Sequence, residues 1–197
     1  MANKYNNILL TCFEPFGGES FNASAEIVFS MPEHINGCNA DKLLLPVEFG
    51  GSAKIAISHA DKRKPELIVC FGEARSRKAV TPELVAINLK YASIPDNAGA
   101  KPMDEPIEVC GKNAYFTKFP ARELASGINA RGTRSALSLS AGAYVCNDLY
   151  YRLMSFFECD DTEVLFIHVP RMENAQEYRK AANDIAEALG DIMANKE

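Results

Sequence analysis

Three side chains in this sequence have the types that acyl-transfer chemistry asks for: the thiol of Cys146, the imidazole of His168 and the carboxylate of Glu83. A thiolate can attack a carbonyl, an imidazole can take and return the proton, and a carboxylate can hold the other ring nitrogen. Cys146 follows the small-residue turn Ala141-Gly142-Ala143. It opens a stretch with Leu149, Tyr150, Leu153, Met154 and Phe157 at helical spacing. A thiol at a helix start faces unpaired N–H groups and the positive end of the dipole. Both favour thiolate, and the same N–H groups can hold an oxyanion. His168 closes the apolar run 164–169, just before Pro170, and Glu83 lies in the extended stretch 80–89. Each also has a plainer reading: a buried helical thiol, a strand-end histidine bonded to a backbone carbonyl, an exposed strand glutamate.

A second chemical signal follows the first apolar run. Phe13-Glu14-Pro15-Phe16-Gly17-Gly18 combines two aromatic rings with a flexible glycine pair, which suits a flat, small, weakly polar ligand. The plainer reading tucks Phe13 and Phe16 into the core. No GxGxxG or Walker loop is present, so no phosphate cofactor is expected. The histidines are His34, His59 and His168, and no cysteine pair has CxxC spacing, so no metal is expected either. His34 reads as a surface-loop residue and His59 as a residue on the surface of a helix.

These groups need elements to position them. Residues 7–11, 43–49, 67–71 and 164–169 read as strands, and the weakly alternating 133–139 reads as another. Helices are expected from a cap at Asn22 to a stop at Pro32, from Gly50-Gly51-Ser52 onward, over 121–130, from Cys146, and over 175–193. Residues 91–106, rich in Pro, Gly, Asp and Asn, read as a long structured loop. Strands separated by helices imply βαβ units and a largely parallel sheet in an α/β fold. Ligands of such sheets sit beyond the carboxyl ends of the strands, where Phe13, Glu73, Cys146 and His168 all fall.

The bulk numbers fit one domain over 1–197: 47% hydrophobic, 24% charged and net charge −5. That balance points to no nucleic-acid partner, and no run is long enough to span a membrane. The polar first residues carry no secretory pattern. The six cysteines (Cys12, Cys38, Cys70, Cys110, Cys146, Cys159) are therefore expected as reduced thiols in the cytoplasm.

Five stretches, taken together, resemble the pyroglutamyl peptidase I, or pyrrolidone-carboxylate peptidase, family. They are Thr11-Cys12-Phe13-Glu14-Pro15-Phe16-Gly17-Gly18, Val85-Ala86-Ile87-Asn88, Ile94-Pro95-Asp96-Asn97, Ala141-Gly142-Ala143-Tyr144-Val145-Cys146-Asn147 and Phe166-Ile167-His168-Val169-Pro170. The resemblance implies a three-layer α/β/α sandwich around a twisted, largely parallel sheet. It also implies thiol-catalysed removal of an N-terminal pyroglutamyl residue from peptides, with no cofactor, and a homo-oligomer (tetramer or dimer). Cys146 becomes the nucleophile, His168 the base and Glu83 its orienting acid. Phe13 and Tyr144 would hold the lactam ring between flat faces, with Phe16 also among the substrate-binding residues, and the backbone at Val145 would contribute to ring and oxyanion binding. The family's usual residues differ here at several places. Glu73 stands for Gln in ring binding, Ser93 for Arg, Cys12 for Gly, Ala23 for Pro and Asp148 for a frequent His. Glu73 and Ser93 leave open a related thiol amidohydrolase with another acyl group, or a non-catalytic binding protein on the same fold.

Overall fold

Three strands that are buried on both faces organise the chain. They are β1 (Asn7–Phe13), β4 (Leu67–Glu73) and β8 (Glu163–Val169), near-continuous apolar runs of the kind found in covered parallel sheets. The computed structural model describes residues 5–195. The main sheet also holds β2 (His34–Ile35), β3 (Cys38–Leu45) and β5 (Thr81–Glu83), in the order β2-β3-β1-β4-β8-β5. The four inner strands are parallel, and the edge strands β2 and β5 are antiparallel to their neighbours. A separate two-stranded sheet joins β6 (Val85–Ile87) to β7 (Ala114–Phe116).

Helices cover both faces. On one lie α1 (Ala23–Ser30), α3 (Ala121–Ala130) and α5 (Ala175–Ala194), packed on Leu10, Val69, Phe71, Leu165 and Ile167. On the other lie α2 (Gly51–Arg63) and α4 (Val145–Phe156), packed on Leu9, Phe13, Ile68, Cys70, Val164 and Phe166. The result is a three-layer α/β/α sandwich. Local chemistry explains the boundaries. The Asn22 side chain accepts from Ser24 N–H at 3.0 Å to start α1, and Asn174 does the same for Gln176 and Glu177 at 3.0 and 3.1 Å to start α5. Met31, ahead of Pro32, is already extended, which ends α1.

Several elements differ from the sequence reading. Residues 133–139 form no strand; they run beside β5 and the residue before it through the isolated bridges Glu83↔Ser138 and Val80↔Ser135. The stretch 80–89 divides at Leu84: β5 stays on β8, while β6 turns away to pair with β7. β3 starts at Cys38, earlier than expected, because Asn39, Asp41 and Lys42 hide its strand character; Pro46, which has no N–H to donate, ends it. His34 sits in the short strand β2, exposed.

Side chains alternate between faces, so the sheet decides which groups can meet. In β4, Val69 and Phe71 point to the α1/α5 layer and Cys70 to the α4 layer, which puts Gly72 on the α4 side. In β8, Phe166 faces α4, and so does His168 two residues on. Gly72 is paired with His168. A Cβ at Gly72 would lie 2.8 Å from Cys146 Sγ and 2.8 Å from Phe166 Cζ, closer than carbon contacts allow. We therefore expect Gly72→Ala to destabilise the protein by about 1–3 kcal/mol in urea unfolding and to displace the Cys146 thiol. Unchanged stability together with an unchanged rate of Cys146 alkylation would show that the gap is not needed.

Candidate active site

The expected trio comes together at the carboxyl end of the sheet. β5 runs antiparallel to β8 with Thr81 opposite His168 and Glu83 opposite Phe166. Glu83 and His168 are thus diagonal neighbours, within reach of long side chains. Glu83 Oε1 lies 2.7 Å from His168 Nδ1. The second carboxylate oxygen, Oε2, is buried without a hydrogen-bond partner. Tyr150 donates its hydroxyl to the Glu83 carbonyl at 3.0 Å and so fixes the strand end. Cys146 Sγ packs over Gly72, on the strand next to His168 and on the same face. Paired strands are about 4.8 Å apart, so thiol and imidazole are neighbours.

Cys146 is the second residue of α4, and its backbone arrangement suits anion binding. Tyr144 caps the helix through its carbonyl only, accepting from Asn147 and Asp148 N–H at 3.0 and 3.1 Å; no side chain caps the start. The N–H groups of Val145 and Cys146 lie in the first turn, ahead of those bonds. Burial works against the expected thiolate, although the Cys146 residue as a whole is half-buried. It pushes the thiol up to about 12, the Glu83 carboxylate and the Cys70 thiol add to this, and Arg77 and the Cys146 backbone pull it partly back. A helix dipole contributes about 0.3–2 kcal/mol, less than the cost of desolvating an anion. Burial also lowers the pKa of His168; Glu83 opposes this and Arg77 reinforces it. The resting pair is a neutral thiol beside a neutral imidazole.

An aromatic cluster adjoins the thiol. Phe13 is buried, while Phe16 and Tyr144 are half-buried with centroids 6.3 Å apart and tilted by 39°. Phe49 meets Tyr144 edge-on at 5.3 Å. The loop 94–97 staples this cluster. Buried Asp96 accepts from Phe49, Ala98 and Ala100 N–H at 2.8, 3.0 and 2.7 Å. Asn97 Nδ2 donates to Glu14 Oε1 and the Pro15 carbonyl at 2.8 and 3.0 Å, and Tyr144 donates to the Pro95 carbonyl at 3.1 Å. Asn147 and Asp148, next to Cys146, hold the backbone at Ile87 and at Gly50. Reading the sequence missed Phe49 and assigned no role to Asp96, whose signal was a carboxylate inside a Pro/Asn/Gly turn. It offered Arg75 or Arg77 as a partner for Glu73, and the structure pairs Glu73 with Arg75 while Arg77 bonds Glu83.

Glu73 requires a correction. Its carboxylate lies on the opposite side of the sheet from Cys146, where strand alternation sends it. There it accepts from Arg75 Nε at 2.7 Å, Arg171 Nε at 2.9 Å and the Ala23 N–H at the start of α1 at 2.8 Å. It holds α1 and the ends of two strands together and does not reach the aromatic cluster. Cys12 is also on that far face, with burial pushing its thiol up to about 12. His59 bonds Asp41 at 2.6 Å, away from the site. Among the described residues, no group of three or more His, Cys, Asp or Glu is arranged for a metal ion.

The family model described as pyroglutamyl peptidase matches residues 6–185. A pyrrolidone-carboxylate peptidase of Lactobacillus johnsonii is 38% identical over 94% of this chain and 86% of its own. Another, of Streptococcus pyogenes serotype M3, is 38% identical over 84% and 78%. The crystal structure of Bacillus amyloliquefaciens pyroglutamyl peptidase I superposes with a TM-score of 0.87 at 32% identity, over 94% of this chain and 97% of that one. The pyrrolidone carboxyl peptidase of Thermococcus litoralis gives 0.89 at 26% identity, over 98% and 96%. With this similarity spanning nearly the whole chain, the protein belongs to the pyroglutamyl peptidase family of cysteine-type exopeptidases.

Proposed function

We propose that this protein removes an N-terminal pyroglutamyl residue from peptides, with Cys146 as nucleophile, His168 as general base and acid, and Glu83 as the orienting acid. The observation that carries the reading is the 2.7 Å Glu83–His168 bond beside a thiol at the start of α4. Glu83 accepts the hydrogen bond of His168 Nδ1–H, which fixes the tautomer and leaves Nε2 free as a base. His168 removes the thiol proton as Cys146 attacks the carbonyl linking the lactam ring to the next residue. The N–H groups of Val145 and Cys146 receive the oxyanion. His168 then protonates the leaving amine, and a water that it activates cleaves the thioester.

The lactam ring binds against Phe13, Phe16, Phe49 and Tyr144. A ring held between two faces needs a contact of about 3.5–4.0 Å on each side. Were the ring to lie between Phe16 and Tyr144, their 6.3 Å separation would have to widen. Gly17 and Gly18, both with positive φ (63° and 78°), give Phe16 the backbone freedom for that movement. A free N-terminal amine would bring an unpaired charge into this apolar surface, which explains the preference for a blocked N-terminus. The position of Glu73 removes one argument for a different acyl group. We further propose a cytoplasmic homo-oligomer, tetramer or dimer. Free cysteines among the described residues and the exposed apolar side chains Val109, Phe116, Leu139 and Phe156 support this. With a net charge of −5, no nucleic-acid partner is proposed.

Three outcomes follow. Cys146→Ala lowers turnover of a pyroglutamyl fluorogenic amide by on the order of 10⁴-fold or more; wild-type rates in that variant would remove Cys146 from the mechanism. The acid limb of kcat/KM lies below the ordinary histidine value of 6.5, because burial lowers the pKa of the base and keeps it neutral further into acid; a limb above 6.5 contradicts the neutral pair. Glu73→Gln costs about 1–3 kcal/mol in thermal or urea unfolding, by taking the charge from between two arginines, and gives no gain in activity. A clear gain would place Glu73 in ring recognition after all.

A further inference from the structure

Arg77 belongs to neither the nucleophile, the base nor the acid, yet it touches the machinery from three directions. It sits in the turn after β4, where its N–H bonds the Ala74 carbonyl at 3.0 Å. Its Nη1 donates to Glu83 Oε1 and to Thr81 Oγ1 on β5. Its Nη2 donates to the Ser140 carbonyl at 3.0 Å, in the segment leading to Cys146. That segment is also tied to β5 by Ser138 N–H to the Pro82 carbonyl at 2.9 Å and Leu84 N–H to the Ser138 carbonyl at 2.8 Å. One fork-shaped guanidinium thus spans the exit of β4, the acid's strand and the approach to the nucleophile.

We propose that Arg77 is a positioning residue for this reaction: it clamps the Glu83 carboxylate to the Cys146 segment and balances its charge, so that His168 stays available as a base. This deepens the peptidase reading above and rests on it. Glu83 is fully buried, and its Oε2 has no hydrogen-bond partner. A carboxylate in that position needs a cation. If Arg77 does not supply one, the nearest source is a proton on His168, and an imidazolium cannot accept the thiol proton of Cys146. The charged and titratable groups around His168 are Glu83 from β5, Cys146 from α4 with Cys70 of β4 near it, and Arg77. Of these, only Arg77 contributes a fixed positive charge.

Arg77 also opens onto solvent. It lines a cavity of about 530 Å³ together with Lys78, Arg134 and Arg171, large enough to admit a small solute beside it. Removing the side chain would leave a guanidinium-shaped gap that this cavity can feed.

The test compares wild type with Arg77→Ala, Arg77→Lys and the cavity control Lys78→Ala. Misplacement by about 1 Å costs about 100-fold, so kcat of Arg77→Ala should fall by about that factor with KM within about threefold. Its acid limb should move to higher pH, because loss of the cation raises the proton affinity of both His168 and Cys146. Millimolar guanidinium chloride should restore part of kcat, and sodium chloride at equal ionic strength should not. Arg77→Lys keeps the charge but not the fork; it should keep a near wild-type acid limb with an intermediate kcat. Lys78→Ala should match wild type. The pH dependence of Cys146 alkylation by iodoacetamide, followed in parallel, needs no peptide substrate. It should shift as the acid limb does, so it still tests the role of Arg77 if pyroglutamyl turnover proves absent. An unshifted alkylation profile in Arg77→Ala overturns the proposal. So does a kcat loss that guanidinium does not rescue and that tracks a lowered unfolding temperature.

Discussion

A carboxylate with no exposure to water, held against a buried imidazole, is the constraint on which the rest of this structure depends. Glu83 and His168 sit on neighbouring antiparallel strands, in a register that makes them diagonal partners. The arrangement costs desolvation of both groups, and the surroundings must offset that cost through hydrogen bonds and a balancing cation. Arg77 supplies the cation, and the Tyr150 hydroxyl on the Glu83 carbonyl fixes the backbone. A one-residue slip between β5 and β8 would send the carboxylate to the other face and leave it stranded. Register, not proximity in sequence, is therefore what makes these residues a site.

The two faces of the sheet divide the work. Toward α4, small or apolar residues make room: Gly72 lets Cys146 Sγ and the Phe166 ring approach the strand where a Cβ would exclude both. Toward α1 and α5, Glu73, Arg75, Arg171 and Glu19 form an ionic cluster that anchors the α1 start and the ends of β4 and β8. The two sides meet at Phe16, whose ring lies 5.4 Å from the Arg75 guanidinium and 6.3 Å from Tyr144. The aromatic loop is thereby held by the structural face while it serves the chemical one.

Much of this was legible in the sequence. The apolar runs gave β1, β4 and β8, and the periodicity gave α3, α4 and α5 almost to the residue. Cys146 and His168 stood at predicted element ends, and the resemblance to the family joined Glu83 to them. The failures have physical causes. Residues 133–139 alternate as a strand does, yet only isolated bridges tie them to β5 and the residue before it. Glu73 was assigned to ring recognition from the resemblance alone, although in a strand the parity of position decides the face, and Glu73 has the parity of Phe71, not of Gly72. Arg77 was considered only as a partner for Glu73; its bonds to Glu83 and Ser140 were missed because those segments lie apart from it and are brought together only by the fold. The expected thiolate failed because a helix start was weighed without the burial that overrides it.

That last failure bears on how the site selects its substrate. The apolar, water-poor surroundings that push the Cys146 thiol up and the His168 imidazole down favour every neutral form in the site. A substrate end without charge, such as a lactam ring, enters at less electrostatic cost than an ammonium, which would have to shed its water beside carboxylates already engaged: Glu83 with His168 and Arg77, Asp96 with three backbone N–H groups. In this reading nucleophile activation and substrate choice share one origin. Under the proposed mechanism the thiol gains charge as the proton passes to His168, with the N–H groups at the start of α4 and the cation at Arg77 placed to stabilise it. A more exposed cysteine would be a thiolate more often, and it would sit in a site with less reason to reject a free amine.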